Sequence, residues 1–274
     1  MAGKTKSLLR FWHLLSLDAP TVATLWTWFI ARANHIHLAA DSLLAMAAAV
    51  WTLYAADRLL DGQGTQTDAL EARHHFHYRH RKIFLIGIAA SSVVLATLLP
   101  RIPAEAIRLY LVLGGLVFGY FVVIHATSSA HRLPKEIAVG ICFAAAVFIP
   151  TVARHPNLRV TLLAPALLFA VLCSINCLFI YSWEHPPGAA QQQPHPVTAA
   201  ALSYLRLSAF ALGVAGIGLT FFYRLAPWPI CAAVGLSAMA LLALHQRRES
   251  CDALTLRAAA DLVLLTPVLF VGFL

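Results

Sequence analysis

Residues Val160–Tyr181 read VTLLAPALLFAVLCSINCLFIY, a run of 22 residues that contains no charged side chain. An α-helix of about 20 mostly apolar residues is long enough to cross the hydrocarbon core of a bilayer. Inside that core the backbone has no water to bond, and a helix satisfies its own N–H and C=O groups. This stretch therefore predicts a transmembrane helix.

The same pattern recurs along most of the chain. Hydrophobic residues make up 60% of the sequence and charged residues 12%, which is about half the charged fraction of an ordinary soluble domain. No stretch alternates in the way that barrel strands do. We therefore predict an all-α integral membrane protein with about nine transmembrane helices, near Leu17–Arg32, Leu38–Leu60, Ile83–Leu99, Ala106–His125, Glu136–Val152, Val160–Tyr181, Ala199–Tyr223, Trp228–Leu244 and Leu256–Phe273.

The first residues predict a separate element. Leu8, Phe11 and Leu15 recur at helical spacing behind a basic start, as in helices that lie on a membrane surface. We expect residues 1–16 to form a cytoplasmic interfacial segment and residues 17–274 to form one polytopic transmembrane helical domain.

Charge indicates both the environment and the orientation. The formal net charge is +8 at pH 7, and anionic lipid headgroups or a diphosphate-bearing ligand fit its distribution better than nucleic acid does. Cytoplasmic loops carry an excess of Lys and Arg, so we expect a bacterial inner (cytoplasmic) membrane protein with its N-terminus in the cytoplasm. In that orientation the cytoplasmic side holds Lys4, Lys6, Arg10, Arg73, Arg79, Arg81, Lys82, Arg132, Lys135, Arg247 and Arg248, and the other side holds only Arg32, Arg101, Arg108, Arg154, Arg159 and Arg224.

Two carboxylates lie one helical turn apart at the end of the second predicted span. Asp57 and Asp61 stand in the segment Tyr54–Asp61, YAADRLLD, and their i, i+4 spacing places them on one helical face. Such oxygen ligands suit Mg²⁺ that bridges to phosphate oxygens. The alternative is a helix end solvated by lipid headgroups, with Arg58 as a partner of the carboxylates.

The sixth predicted span also ends in polar residues. Asn176 and Glu184 are eight residues apart, so they share a helical face. An Asn within lipid requires a partner, either structural or a ligand. Tyr181 and Trp183 alone would be ordinary interfacial anchors.

The chain has nine predicted helices, and polar motifs lie at the ends of the second and the sixth helix. In these features it resembles the UbiA superfamily of intramembrane prenyltransferases over nearly its whole length. The resemblance implies two Asp-rich motifs on the cytoplasmic side that hold a prenyl diphosphate through Mg²⁺. The first family motif is commonly Asn-Asp-x-x-Asp-x-x-x-Asp. Here Leu53 and Tyr54 replace the opening pair, and Asp57 and Asp61 match the last two carboxylates.

The second family motif, commonly Asn-x-x-x-Asp-x-x-x-Asp, is kept in part. Asn176 matches its start, Ile180 replaces the first Asp, and Glu184 stands for the last. Lys135 resembles the basic residue that opens the fifth helix and contacts diphosphate in the family.

The resemblance implies an enzyme that transfers a prenyl group from an isoprenoid diphosphate to a lipophilic acceptor, aromatic or quinone-like. Asp57, Asp61 and Glu184 would hold Mg²⁺, weakly because the motifs are incomplete, while Lys135 would bind diphosphate and Asn176 would orient a ligand oxygen. Further substrate contacts are expected from Tyr54, Arg58, Arg73, Arg79, Arg132 and Tyr181.

The alternative is a non-catalytic UbiA-like protein that binds a lipid or quinone, or a subunit of a membrane complex. A transporter is a weaker alternative, since no internal repeat stands out.

Three further groups have competing interpretations. His74, His77 and His80 fall at i, i+3 and i+6 and could bind a metal, although a helix that binds headgroups is favoured. Arg257 and Asp261 are spaced i, i+4, which predicts that they neutralise each other inside the bundle. The five cysteines are expected to be small buried apolar residues rather than a disulfide framework.

The predicted topology places Arg154 outside the cytoplasm and Arg247 inside it. Arg154→Cys and Arg247→Cys, each in a version of the chain without other cysteines, should therefore differ in labelling by a membrane-impermeant maleimide. Spheroplasts should label the first variant and leave the second unlabelled until lysis. Equal labelling of both variants before lysis would contradict the orientation.

Overall fold

The computed structural model describes residues 2–61, 72–126, 134–185, 194–223 and 226–274, with side chains except at 2–7, 61, 72–75 and 120–126. Within these ranges the chain is helical and contains no strand. The α-helices are α1 (Ala2–Leu14), α2 (Asp18–Ala33), α3 (Ala40–Asp61), α4 (Ala72–Arg79), α5 (Arg81–Leu98), α6 (Ala104–Ala126), α7 (Lys135–Arg154), α8 (Leu158–Thr161), α9 (Leu163–Glu184), α10 (Pro196–Ser203), α11 (Leu205–Phe222), α12 (Trp228–Gln246) and α13 (Ala253–Leu262). Three segments are 3₁₀-helical: Leu99–Arg101, Arg248–Ser250 and Val263–Phe273, the last of which continues α13.

Each of the nine predicted spans overlaps a helix in this series. In the described part of the chain, seven helices are long and apolar enough to cross a membrane, and up to eight if α1 and α2 are counted as one bent span. These helices confirm the predicted class, an all-α integral membrane protein. The count of nine crossings and the orientation of the termini stay predictions.

The chain turns through 90° between α1 and α2, and Ser16 makes this turn. Its φ of 57° lies in the left-handed region that residues other than glycine seldom adopt. The Ser16 N–H donates to His13 O at 3.0 Å, and the Leu17 N–H donates to Trp12 O at 3.1 Å. This is the Schellman arrangement that closes a helix. The turn directs α1 away from the axis of α2 and into contact with α4 and α13.

A kink in the last predicted span is held by side chains from two other helices. Pro267 has no N–H to donate to the carbonyl four residues before it, that of Val263. Ser237 Oγ on α12 donates to this carbonyl at 3.0 Å. Trp26 Nε1 on α2 donates to the next one, Leu264 O, at 2.8 Å. The irregular backbone is therefore satisfied within the bundle, as a membrane requires.

Large apolar side chains on the outer helices point away from the core. Ile86, Leu111, Phe118 and Phe221 are between 68% and 70% exposed. Extended apolar surfaces of this kind are rare on soluble monomers. They fit a molecule whose outer surface contacts lipid hydrocarbon.

α11 and α12 approach each other closely because glycines line their contact. A Cβ added at Gly216 would lie 2.8 Å from Gly235 Cα, and a Cβ added at Gly235 would lie 2.9 Å from Gly213 O. Small residues at helix contacts are a usual means of packing transmembrane helices, because they let the backbones meet.

Gly216→Val should force α11 and α12 apart and destabilise the bundle by about 1–3 kcal/mol, the usual cost of overpacking. Gly218→Val is the matched control, since a Cβ there meets nothing within 4 Å and the change in helix propensity is the same. Thermal unfolding in detergent should show a lower midpoint for Gly216→Val than for Gly218→Val. Equal midpoints for the two variants would refute the close contact.

Candidate functional site

Polar and charged side chains gather inside the bundle at the end where α2 and α13 begin and α3 and α9 end. None of them is more than 7% exposed. An isolated charge at depth in a bilayer costs at least ~2.5 kcal/mol, so such groups pair with one another and often mark functional sites. We call this group the polar centre, and its members are His13, Ser16, Asp18, Arg58, His77, Asn176 and Asp261.

Arg58 on α3 connects most of the first half of the polar centre. Its Nη1 donates to His13 O at 2.6 Å and to Ser16 Oγ at 3.1 Å, and its Nη2 contacts Asp18 Oδ2 at 3.2 Å. Its guanidinium also lies over the Tyr54 ring, 4.8 Å from the ring centroid. Because a guanidinium stays charged in proteins and carries five donors, its burial requires several acceptors of this kind.

The acceptors are supplied by the turn between α1 and α2. The Nδ1 atom of His13 hydrogen-bonds Asp18 Oδ2, and Asp18 Oδ1 accepts from Ala19 N at 3.0 Å. Ser16 Oγ also contacts His77 Nε2 on α4 at 3.1 Å. The left-handed turn at Ser16 therefore places a carbonyl, a hydroxyl and a carboxylate around one guanidinium.

The second half of the polar centre comes from α9 and α13. Asn176 Nδ2 donates to Asp261 Oδ1 at 3.0 Å, and one carboxylate oxygen each of Asp261 and Asp18 lie within 4.8 Å of each other. Two carboxyl groups this close repel each other when both are ionised, so a proton or a cation between them is favoured.

A salt bridge outside the spans holds α1 over the start of α13. Arg10 Nη2 lies 2.8 Å from Asp252 Oδ2, and Arg10 Nε donates to Thr255 Oγ1 at 3.2 Å. Burial acts to raise the pKa of Asp252, but hydrogen bonds from Thr255 and Arg10 outweigh it and hold the pKa at about 2. The Asp252 carboxylate is therefore ionised at physiological pH and caps α13.

Of the two carboxylates predicted to bind Mg²⁺, Asp57 and Asp61, only Asp57 has a described side chain. Asp57 is exposed on α3, whereas the side chain of Asp61 lies outside the described residues. Arg58, the alternative partner of this pair, turns into the bundle and binds Asp18 instead. A shared Mg²⁺ site for the two carboxylates stays a prediction.

The predicted pairing of Arg257 with Asp261 is wrong. Arg257 Nη1 contacts Glu184 Oε1 at the end of α9, and Asp261 is bound by Asn176. The two residues are one turn apart, but the neighbouring helix offers each of them a better partner. Glu184, predicted as a metal ligand, is therefore already bound to a cation.

The other predicted substrate residues are distributed around the same end of the bundle. Lys135 begins α7 and is exposed. Arg79 is also exposed, and the Tyr181 ring stacks on His185 at 4.2 Å between centroids. The side chain of Arg73 and all of Arg132 lie outside the described residues.

The two histidines of residues 74–80 whose side chains are described, His77 and His80, have different surroundings. His77 is fully buried in the polar centre, while His80 Nδ1 contacts Phe76 O at 2.9 Å. The side chain of His74 lies outside the described residues. All five cysteines carry free thiols. Cys173 and Cys231 are buried as predicted, whereas Cys142, Cys177 and Cys251 are half-buried.

The sequence carries no motif that joins His13, Asp18 and Asp261. Asp18 reads as the polar start of a short span, and Asp261 reads as the neighbour of Arg257. An unpaired charge in or near a membrane span is costly, so the sequence does predict that Asp18 and Asp261 each have a partner. The identity of each partner depends on helix packing, which cannot be read from spacing along the chain.

No family model, curated protein or solved structure matches the chain. The fold and the polar centre therefore define the class on their own: an all-α integral membrane protein with a buried network of charges at one end of its bundle. The resemblance to the UbiA superfamily stays a prediction.

Arg58→Met should leave Asp18 buried without its cation and destabilise the protein by about 3–5 kcal/mol, the usual cost of breaking a buried pair. Asp18→Asn should also destabilise it, and the double variant should recover much of the loss because neither charge remains. The measurement is the unfolding midpoint in detergent for the four proteins of this cycle. Arg101→Met, which breaks the exposed contact with Asp41 at 3.5 Å, is the control and should change little. Strictly additive effects of Arg58→Met and Asp18→Asn would contradict the coupling.

Proposed function

We propose that this protein is an intramembrane prenyltransferase of the UbiA kind, which transfers a prenyl group from an isoprenoid diphosphate to a lipophilic acceptor. One observation carries the proposal. The segments that resemble the two family motifs, on α3 and α9, bind two carboxyl groups whose ligand atoms lie within 4.8 Å of each other. Arg58 on α3 binds Asp18, and Asn176 on α9 donates to Asp261.

Exposed cations at the same end of the bundle support a diphosphate ligand. Lys135 stands in the first turn of α7, where its ammonium group adds to the partial positive charge of the helix N-terminus. Arg79, which ends α4 just before the start of α5, is also exposed. Such groups stabilise the negative charge that develops on a departing diphosphate. The prenyl chain would lie along the apolar helix faces, in lipid.

The residues present fit Mg²⁺ in part. Asp57 is exposed, and Asp61 follows one turn later on α3, so these two residues would hold the ion. Glu184 fits less well than the sequence predicts, because Arg257 already binds it. When bound, Mg²⁺ would screen the negative charge of the diphosphate.

The transfer itself breaks the bond between the prenyl carbon and the diphosphate oxygen. The electron pair leaves with the diphosphate, where Lys135 stabilises it. The acceptor supplies the electron pair of the new bond and loses a proton. The polar centre would hold the helix ends in place during the transfer, because its hydrogen bonds link α3 to α2 and α9 to α13.

A specific observation favours the non-catalytic alternative, in which the protein binds a lipid or quinone without transferring anything. Glu184 is neutralised by Arg257, and Ile180, at a position where the family carries an Asp, is 8% exposed within the apolar core. The second motif therefore contributes little free negative charge. The experiment below distinguishes the two functions.

Asp57→Asn should weaken the Mg²⁺-dependent binding of geranylgeranyl diphosphate by at least about tenfold, since one of two protein ligands of the ion is lost. Asp41→Asn, at the opposite end of the same helix, is the matched control and should bind like the wild type. The measurement is equilibrium binding to protein in nanodiscs across a Mg²⁺ titration, followed by transfer assays with a panel of aromatic and quinone-like acceptors.

Each result bears on one function. Transfer to any acceptor, lost in Asp57→Asn and kept in Asp41→Asn, would support the enzyme. Tight binding without transfer to any acceptor would favour the non-catalytic protein. A wild type that binds the diphosphate no better than geranylgeraniol would refute a diphosphate ligand altogether.

A further inference from the structure

The polar centre contains a set of metal-ligating atoms that the proposed transfer does not use. One ligand atom each from His13, Asp18 and Asp261 lies within 4.8 Å of the others. The three residues come from α1, α2 and α13, and all of them are buried. A ring nitrogen and two carboxylates in this proximity are the donors of many catalytic and structural metal sites.

A second observation comes from α9. The Asn176 side chain is 5% exposed, and its Oδ1 has no hydrogen-bond partner among the described residues. The Nδ2 atom of the same amide donates to Asp261 Oδ1, so this amide faces the carboxyl group that belongs to the cluster. A buried carbonyl oxygen without a donor costs about 1–3 kcal/mol. A bound cation would satisfy it.

We propose that the polar centre binds one divalent transition-metal ion through a ring nitrogen of His13, the carboxylates of Asp18 and Asp261, and the amide oxygen of Asn176. The imidazole donor favours Zn²⁺ or Mn²⁺ over Mg²⁺ and Ca²⁺, which prefer oxygen ligands alone. This site is separate from the exposed Asp57 and does not depend on prenyl transfer.

An ion would change the net charge of the polar centre. Without a metal, the carboxyl groups of Asp18 and Asp261, whose ligand atoms lie within 4.8 Å of each other, are neutralised by one proton and by Arg58. A divalent ion takes the place of that proton and neutralises both carboxylates. Arg58 then contributes one positive charge that no carboxylate in the polar centre balances. The occupied centre would therefore attract an anion towards the end of the bundle where Lys135 and Asp57 lie.

The full chain in lipid nanodiscs, stripped with a chelator, is incubated with Zn²⁺ or Mn²⁺ at micromolar concentration and desalted before its metal content is measured. The wild type should retain about one ion per chain, and Asp261→Asn should lose at least about tenfold in affinity because a first ligand is removed. Asp261→Asn keeps the shape of a protonated Asp, so the fold should survive. Asp41→Asn is the control for a general loss of carboxylates and should retain the ion.

A spectroscopic signature covers the case in which a variant folds poorly. Co²⁺ bound to the wild type should show visible d–d absorption, and His13→Gln should weaken or shift these bands, since a nitrogen ligand is replaced. Asp57→Asn should leave both the metal content and the Co²⁺ spectrum unchanged, which separates this site from the Mg²⁺ ligands of the proposed enzyme. A wild type that retains neither Zn²⁺ nor Mn²⁺, or an Asp261→Asn variant that retains as much as the wild type, would overturn the proposal. In that case the shared proton and Arg58 alone neutralise the centre.

Discussion

A guanidinium group inside a membrane protein has to be neutralised and hydrogen-bonded on several sides, and Arg58 imposes this requirement on the first part of the fold. Its acceptors are a backbone carbonyl at the end of α1, a hydroxyl in the turn and a carboxylate at the start of α2. No regular helix presents these three groups to one point. The left-handed conformation of Ser16 and the 90° bend are consistent with that need, because the end of α1, the turn and the start of α2 all reach the Arg58 guanidinium.

The sequence was sufficient to predict the fold class, and hydrophobic pattern explains why. Lipid requires long apolar runs and internally bonded backbone, so the long, mostly apolar runs of the sequence map directly onto helices. Val160–Tyr181 predicts α9 with its C-terminal end three residues short of Glu184. The short helices α4, α8 and α10 were not predicted, because segments of four to eight residues carry no such signal.

The charged residues were harder to interpret, for a physical reason. The sequence shows that Arg257 and Asp261 are close along one helix, and it cannot show that Glu184 on α9 is closer to Arg257 in space. The same holds for Arg58, which is next to Asp57 in sequence and pairs with Asp18 across the bundle. Helix packing and desolvation determine which buried charges pair, and both are properties of the assembled bundle. The roles of Lys135 and Asn176 could be predicted only through their match to a family motif.

The order in which the polar centre is completed has a consequence for biosynthesis. Asp18 and Arg58 belong to the first two apolar helices of the chain, so their charges can neutralise each other as soon as α3 has emerged. Asp261 and the anchor of Arg10 on Thr255, which is 245 residues away in sequence, arrive only with α13. Before α13 is synthesised, Asn176 on α9 lacks the carboxyl group that it binds in the finished protein. The early helices can therefore enter the membrane with the charges of Asp18 and Arg58 already neutralised. The contact between α1 and α13 forms late, when the last helix completes the bundle.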